Sequence, residues 1–286
     1  MSITRDIRIA LNGSYGALFK LIIINVVVFL AVNIIISILA LGGDMFGQDT
    51  VSNFVDLPAR LQLFIPRFWT IFTYMFVHFG FMHILSNMLW LYFLGKVFCD
   101  LLGSARMIGT YIVGGICGGI LFIIMSNLIP HQANSELEGA SAGVMAIVVA
   151  AATYSPDYTM FPFGFQMKLK WLALIAFLLT SVIDLTDNTG GKVSHIGGAI
   201  FGIIYGTQLR GGKNFMAGFT NLFKRKNKNL RVEHSRSRKS DDELYNENKI
   251  SVKKQVDEIL DKISRSGYDS LTKAEKEFLQ KNHDKF

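Results

Sequence analysis

Residues 21–41 read LIIINVVVFLAVNIIISILAL, 21 positions without a charge. A helix needs about 20 apolar residues to cross ~30 Å of hydrocarbon, so this run reads as a membrane span. Working outward, apolar runs recur at 79–95, 107–129, 139–154, 169–183 and 193–209, giving six in all. The fourth and fifth are short.

Composition agrees with that reading. Of the 286 residues, 50% are hydrophobic and 18% charged, and the mean hydropathy is +0.34. Five prolines and this apolar load argue against disorder. Up to Leu209 there are 10 Lys/Arg and 10 Asp/Glu, whereas the remaining 77 residues carry 19 and 12, so the whole +7 belongs to the tail. A soluble enzyme would spread its charges over its surface. Cys99 and Cys117 both fall in apolar runs, which argues against a disulfide framework or a metal site. Arg5 and Arg8 precede the first run, but that run is too long for a signal peptide and lacks a small-x-small cleavage site. It reads as an anchor.

Lys/Arg placement sets the orientation. Arg5, Arg8, Lys20, Lys96, Arg106, Lys168, Lys170 and the basic tail fall on one side; Arg60, Arg67 and Lys192 fall on the other. Six spans with both termini cytoplasmic follow, in the inner (plasma) membrane of a bacterium. The first loop, 42 to about 77, is too long for a connector. Its stretch 54–68 mixes Phe, Leu and Val with Asp56, Arg60 and Arg67. It is expected to lie in the outer leaflet, with Trp69 at headgroup depth.

Beyond the last span, Phe215, Phe219, Leu222 and Phe223 recur at helical spacing before Lys224, Arg225, Lys226 and Lys228. This suggests an interfacial helix and a polybasic segment against anionic lipid. Nucleic-acid binding, the competing use of such a run, is set aside because membrane attachment already explains its place. Val252, Val256, Ile259, Leu260 and Ile263 then share one helical face that stops near Gly267. Thr272 with Glu275 resembles a capping box opening a second helix with Phe278 and Leu279. The expected organisation is a cytosolic N-terminal segment (1–16), a six-span domain (17–210), a basic juxtamembrane linker (211–247) and a cytosolic helical hairpin (248–286). The hairpin reads as a docking or assembly module without chemistry of its own.

Ionisable and polar side chains inside spans are costly, which makes them functional candidates. His83 and Asn87 lie four apart in the second span, on one helix face about 6 Å apart along the axis. Ser141 opens the fourth span within Gly139-Ala140-Ser141-Ala142-Gly143, and His195 stands at the start of the sixth. The second, fourth and sixth spans run in the same direction, so these four residues share one depth near the external side. About 16 residues at ~1.5 Å each span only ~24 Å, so the first turn of the fourth helix is sunk below the outer surface. Irregular backbone at that depth needs protein or a water cavity around it, and the approach 134–139 would line one.

The chemistry is that of an activated hydroxyl. Serine needs a base to accept its proton, and a neutral imidazole is the usual one. Small neighbours at Gly139, Ala140, Ala142 and Gly143 leave room for a carbonyl. The N–H groups at the start of the fourth helix, that of Ser141 included, point at a developing oxyanion, with His83 and Asn87 as further donors. Asp184 and Asp187 are the nearest acids by sequence for a triad, but a Ser141–His195 dyad is the preferred reading. Alternatives exist for each residue: a packing serine, a bridging histidine, or a metal held by His78, His83 and His195. No Cys or carboxylate at ligand spacing supports a metal, and no cofactor is called for. Gly198, Gly202 and Gly206 form a ridge that would let the sixth span approach Ala142, Ala146 and Ala150 of the fourth. The glycine pairs Gly114/Gly118 and Gly115/Gly119 read as packing only.

From about Trp69 to Gly206 the chain resembles the rhomboid intramembrane serine proteases. The matching residues are His78-x4-His83-x3-Asn87, Gly139-Ala140-Ser141 opening a short fourth span, and His195 followed by Gly198 and Gly202. The resemblance implies an all-α polytopic membrane protein: a six-transmembrane-helix bundle with a membrane-embedded first loop and, here, a small cytosolic helical tail. It implies Ser141 as nucleophile and His195 as base, oxyanion stabilisation by His83, Asn87 and the Ser141 backbone, and support from Gly139, His78 and Gly198. Single-pass membrane proteins, cut within or near their helices, are the implied substrates. Three positions depart from the family pattern: Ala142 in place of a glycine, Met145 in place of an aromatic, and Thr70 in place of the arginine after Trp69. A catalytically silent membrane-protein-binding or remodelling factor is the alternative. A small transporter or channel ranks below both, since no inverted repeat or charged pathway is apparent.

Overall fold

In the computed structural model, which describes residues 10–129, 135–182, 189–222 and 241–282, each of the six apolar runs is a helix. They are α1 (Gly16–Leu41), α2 (Phe81–Leu102), α3 (Ser104–Leu128), α4 (Ser141–Tyr154), α5 (Leu169–Ser181) and α6 (Thr189–Arg210). Several outrun the apolar stretch that announced them. In α2 the helix continues past Lys96, whose Nζ lies 4.1 Å from the centre of the Tyr92 ring and donates to Tyr92 Oη at 2.6 Å, so its charge ends at a polar group. Gly103, at φ +84°, then reverses the chain directly into α3.

Among the described residues, α1, α2 and α3 are long and apolar enough to cross a membrane, and α4 and α5 are shorter apolar helices. The protein is a polytopic membrane protein. Along α1 the side chains of Ile23, Val27, Leu30, Ile34 and Ile38 are exposed, an apolar stripe that suits lipid rather than water. Polar links tie α1 inward: Asn25 donates to the Tyr111 hydroxyl of α3 at 3.3 Å, and that hydroxyl donates to Met75 O at 2.5 Å.

At the centre stands α4. From Ala142 to Ala152 it carries only Gly, Ala, Val, Met and Ile, and a helical stretch apolar all round is buried; residues from Ala142 to Val148 are buried without interruption. It packs against α2, α3, α5 and α6. The glycine ridge of α6 makes the closest of these contacts. A Cβ on Gly198 would lie 2.2 Å from Ala142 O, one on Gly202 2.8 Å from Ala146 O, and one on Gly206 2.5 Å from Ala150 O. From the other side, a Cβ on Gly118 would meet the Ala142 Cβ at 2.6 Å and one on Gly114 the Ala146 Cβ at 2.1 Å. The second glycine pair of α3 faces the first loop, with Gly115 against Met75 and Gly119 against Leu57 and Ile71.

That loop is a packed structure. It contains the helix Gly47–Val55, the helical turns Leu61–Phe64 and Thr70–Thr73, and the strand β1 (Leu57–Pro58). Leu57, Ala59, Tyr74 and Met75 are buried, while Phe54, Leu61, Ile65, Phe68 and Phe72 face outward, the apolar outer face of a membrane-embedded loop. Trp69 Nε1 donates to Phe54 O at 2.9 Å, and Thr70 Oγ1 donates to Arg67 O at 2.7 Å. Strand β1 pairs antiparallel with β2 (Glu136–Leu137), Leu57 opposite Leu137 and Pro58 opposite Glu136. At the junction of α4 and α5, a second two-residue pairing joins β3 (Thr159–Met160) to β4 (Met167–Lys168). Asp157 there meets Lys168 at 3.0 Å and Lys170 at 2.9 Å.

After α6, Met216 and, in the short helix Ala217–Leu222, Phe219 lie against Gly109 of α3, so this segment is packed onto the bundle. Phe223, the basic residues Lys224, Arg225, Lys226 and Lys228, and the N-terminal residues 1–9 lie outside the described residues. Residues Asn227–Phe286 form a separate compact unit built on α7 (Asp241–Ser266) and α8 (Lys273–Asn282). Here α7 begins inside the stretch read as a linker to 247, because the apolar periodicity behind that boundary starts only at Val252. It ends at Gly267, φ +76°. The Thr272 N–H donates to Glu275 Oε2 at 2.7 Å and the Glu275 N–H to Thr272 Oγ1 at 3.4 Å, the reciprocal pair of a capping box.

Gly202→Ala tests the contact between α4 and α6. Its Cβ would meet main-chain atoms of Ala146 and Ala150 at 2.8 and 3.0 Å, so thermal unfolding in detergent should show a loss of about 1–3 kcal/mol. Gly218→Ala, whose Cβ meets nothing within 4 Å, should cause no loss.

Candidate active site

The site begins with the turn that leads into α4. Gly139 has φ +110°, in the region glycine favours, and its N–H donates to Tyr74 O at 2.9 Å. The next N–H, of Ala140, donates to His78 Nε2 at 3.2 Å. Nε2 can accept only while it carries a lone pair. Burial, with neighbouring His83 acting in the same direction, holds His78 down at about 3, so the ring is neutral and the bond is available. His78 is therefore a strut for the turn. Gly139 is needed for a second reason: a Cβ there would lie 2.8 Å from Cε1 and Nε2 of His83.

Ser141, at the first position of α4, lines a cavity of about 450 Å³ together with His195, His83, Asn87, Glu138 and Met145. Trp90 of α2 and Ala176, Leu179 and Thr180 of α5 contribute to its walls. The four polar residues read from the spans thus share one cavity. His195 Nδ1 lies 3.2 Å from the main-chain oxygen of Thr180. Asn87 is buried and spends one amide hydrogen on His83 O at 2.9 Å; the amide carries a second. Gly198 acts from below, letting α6 close on Ala142. Asp184 and Asp187 lie outside the described residues.

The departures from the family pattern find their places. The Ala142 methyl points at Gly118 of α3 and is not among the cavity-lining groups, so it takes nothing from the space beside Ser141. Met145 does line the cavity. Thr70 is buried in the first loop, outside the cavity.

Glu138 is the residue that sequence reasoning missed. Its Oε1 lies 3.3 Å from His83 Nδ1, and its Oε2 accepts the Phe79 N–H at 3.1 Å. A carboxylate directly before the Gly-Ala-Ser motif was the available signal, but its partners lie on the far side of two helices in sequence. Beside it, Ser52 Oγ lies 2.5 Å from both Asp56 Oδ2 and Glu136 Oε2. A hydroxyl has one proton to give, so both contacts close only when one carboxyl is itself protonated. Asp56 is that group: burial pushes it up to about 7, with Glu138 and Glu136 adding to the rise and the Ser52 bond opposing it. This clasp joins β1 of the first loop to β2, and β2 runs straight into Glu138 and Gly139.

Among the described residues no group of three His, Cys, Asp or Glu is arranged to hold a metal, and His78 Nε2 is already engaged by Ala140. The family model for the rhomboid domain matches residues 66–211, which contain the whole cavity. The chain belongs to the rhomboid family. A family of unknown function (DUF6576) matches residues 239–284, over α7 and α8. "Rhomboid-like protein 16, chloroplastic" of Arabidopsis thaliana is 24% identical over 220 residues, 71% of this chain and 65% of the relative. "Rhomboid protease GlpG" of Salmonella choleraesuis (strain SC-B67) is 35% identical over 75 residues, 26% of this chain and 27% of the relative. The chain spans less than two thirds of the length of either relative. The family thus includes rhomboid proteases.

Because of the clasp, stability is expected to depend on pH. Asp56 binds its proton more tightly folded than unfolded, with values of about 7 against 3.8. Its contribution is complete below 3.8, declines as pH rises and is gone above about 7. Asp56→Asn should remove from the stability–pH curve a slope of up to about 1.4 kcal/mol per pH unit in that window. Thermal unfolding of both proteins across the window checks it, and an unchanged slope would count against the clasp.

Proposed function

We propose that this chain is an intramembrane serine endopeptidase that uses a Ser141–His195 dyad to cut membrane-spanning substrates within or near the bilayer. The observation that carries the reading is one cavity, lined by Ser141, His195, His83 and Asn87 together, at the N-terminal turn of a short helix. Ser141 Oγ attacks the scissile carbonyl while His195 accepts its proton. The oxyanion that forms is held by the N–H groups opening α4, which have no partner within the helix, and by donors from His83 and Asn87. The protonated His195 then gives its proton to the leaving amine. A water in the cavity hydrolyses the acyl-enzyme, with His195 again as base.

Single-pass membrane proteins are the proposed substrates, since a cavity walled by α2, α4, α5 and α6 is reached most directly from the bilayer. The proposed setting is a bacterial inner membrane with both termini cytoplasmic, the site in the external half and the basic stretch after α6 against anionic lipid. A catalytically silent binding or remodelling factor is the second reading. Its support is the relative whose printed name is rhomboid-like and not protease.

The test is labelling of the purified protein, in detergent and in liposomes, with a tagged fluorophosphonate. The expected outcome is labelling of the wild type, lost in Ser141→Ala and His195→Ala. Cleavage of a reconstituted single-pass substrate should fall on the order of 10⁶-fold in Ser141→Ala. A folded wild type that neither labels nor cleaves would put the binding reading first.

A further inference from the structure

We propose that the main-chain carbonyl of Thr180, in the last turn of α5, positions the base of this site, filling the role a carboxylate plays in a three-membered hydrolase centre. The proposal rests on reading His195 as that base. Thr180 O lies 3.2 Å from His195 Nδ1. A carbonyl oxygen has no proton to donate, so the contact is a hydrogen bond only when Nδ1 carries one. In the neutral ring this leaves the lone pair on Nε2, the nitrogen that would then take a proton from a serine hydroxyl. The opposite tautomer would set two lone pairs against each other at 3.2 Å and leave Nε2 already protonated.

The location of this acceptor adds to its effect. The Val182 N–H donates to Leu178 O at 3.0 Å as α5 ends, and Thr180 belongs to the final turn, whose carbonyls have no partner inside the helix. Aligned peptide dipoles give that end of a helix a partial negative charge. When His195 holds the serine proton and becomes cationic, the same carbonyl faces the new charge without having to move. The side chain of Thr180 is occupied elsewhere, its Oγ1 donating to Ala176 O at 2.8 Å, so the positioning group is the backbone and has no signature in the sequence. Ala176 and Leu179, one turn and one residue before Thr180, wall the cavity. One helix therefore shapes the substrate space and sets the proton on the base.

The experiment reads the proton first. In protein labelled with ¹⁵N-histidine in detergent, the His195 signals are assigned by their loss in His195→Gln. The expected spectrum has Nδ1 protonated and Nε2 bare. A predominantly Nε2-protonated or evenly mixed ring would overturn the proposal. The second step replaces Ser181 by its α-hydroxy analogue, which turns the Thr180 carbonyl into an ester carbonyl, a weaker acceptor, with every side chain retained. Cleavage of a reconstituted single-pass substrate should lose on the order of tenfold in kcat with KM unchanged, and the His195 ring should shift toward a mixture of tautomers. An ester of the same kind at Ile175, on the exposed face of α5, controls for the lost helix bond. Equal kcat and equal spectra in the two ester proteins would overturn the proposal. The tautomer is read without turnover, so a wrong tautomer in a protein that still labels at Ser141 defeats this proposal alone. A protein that never labels defeats the reading beneath it.

Discussion

The arrangement depends on how closely α6 can approach α4. At Gly198, Gly202 and Gly206 the carbonyls of Ala142, Ala146 and Ala150 occupy the space where a Cβ would stand. Lipid tails are as apolar as the side chains they would replace, so helices in a bilayer are held by close contact and polar links, and small residues allow that contact. The ridge starts three residues after His195, and its first partner is the residue after Ser141. The contact that holds the two helices together therefore also sets the spacing between Ser141 and His195. On the opposite side, α3 uses Gly114 and Gly118 to reach the same alanines, so α4 is gripped between two glycine-faced helices.

A short central helix creates a second problem, which the first loop solves. Because α4 starts at Ser141, the turn before it is enclosed by the bundle with main-chain N–H groups to satisfy. Those of Gly139 and Ala140 go to Tyr74 O and His78 Nε2, both supplied by the segment that leaves the loop. Strands β1 and β2 and the Ser52, Asp56 and Glu136 clasp fasten the loop to the approach of that turn. The loop thus acts as a support for the serine, and its apolar outer face is the consequence of building that support inside a bilayer.

Much of this is legible in the sequence because membrane helices announce themselves by absence of charge, and because direction of travel ties His83, Asn87, Ser141 and His195 to one depth. The spacing of Gly198, Gly202 and Gly206 even names the opposing alanines. What escaped is what the chain does with its backbone and its loops. Thr180 contributes a carbonyl, which every residue has. Glu138 meets His83 and the Phe79 N–H only after two helices have folded back. That the Ala142 methyl meets Gly118 of α3 and not the space beside Ser141 depends on how α3 packs, which the motif does not carry. The start of α7 at Asp241 was hidden because the apolar face used to place that helix begins later.

In the proposed mechanism Ser141 and His195 act as one unit inside the cavity. The most direct measurement is a double-mutant cycle on cleavage of a single-pass substrate in liposomes, with Ser141→Ala, His195→Ala and the double variant, each checked for folding. Groups that act together are strongly non-additive, so the double variant should be no slower than the slower single one. Losses that multiply would show two independent contributions and contradict the dyad.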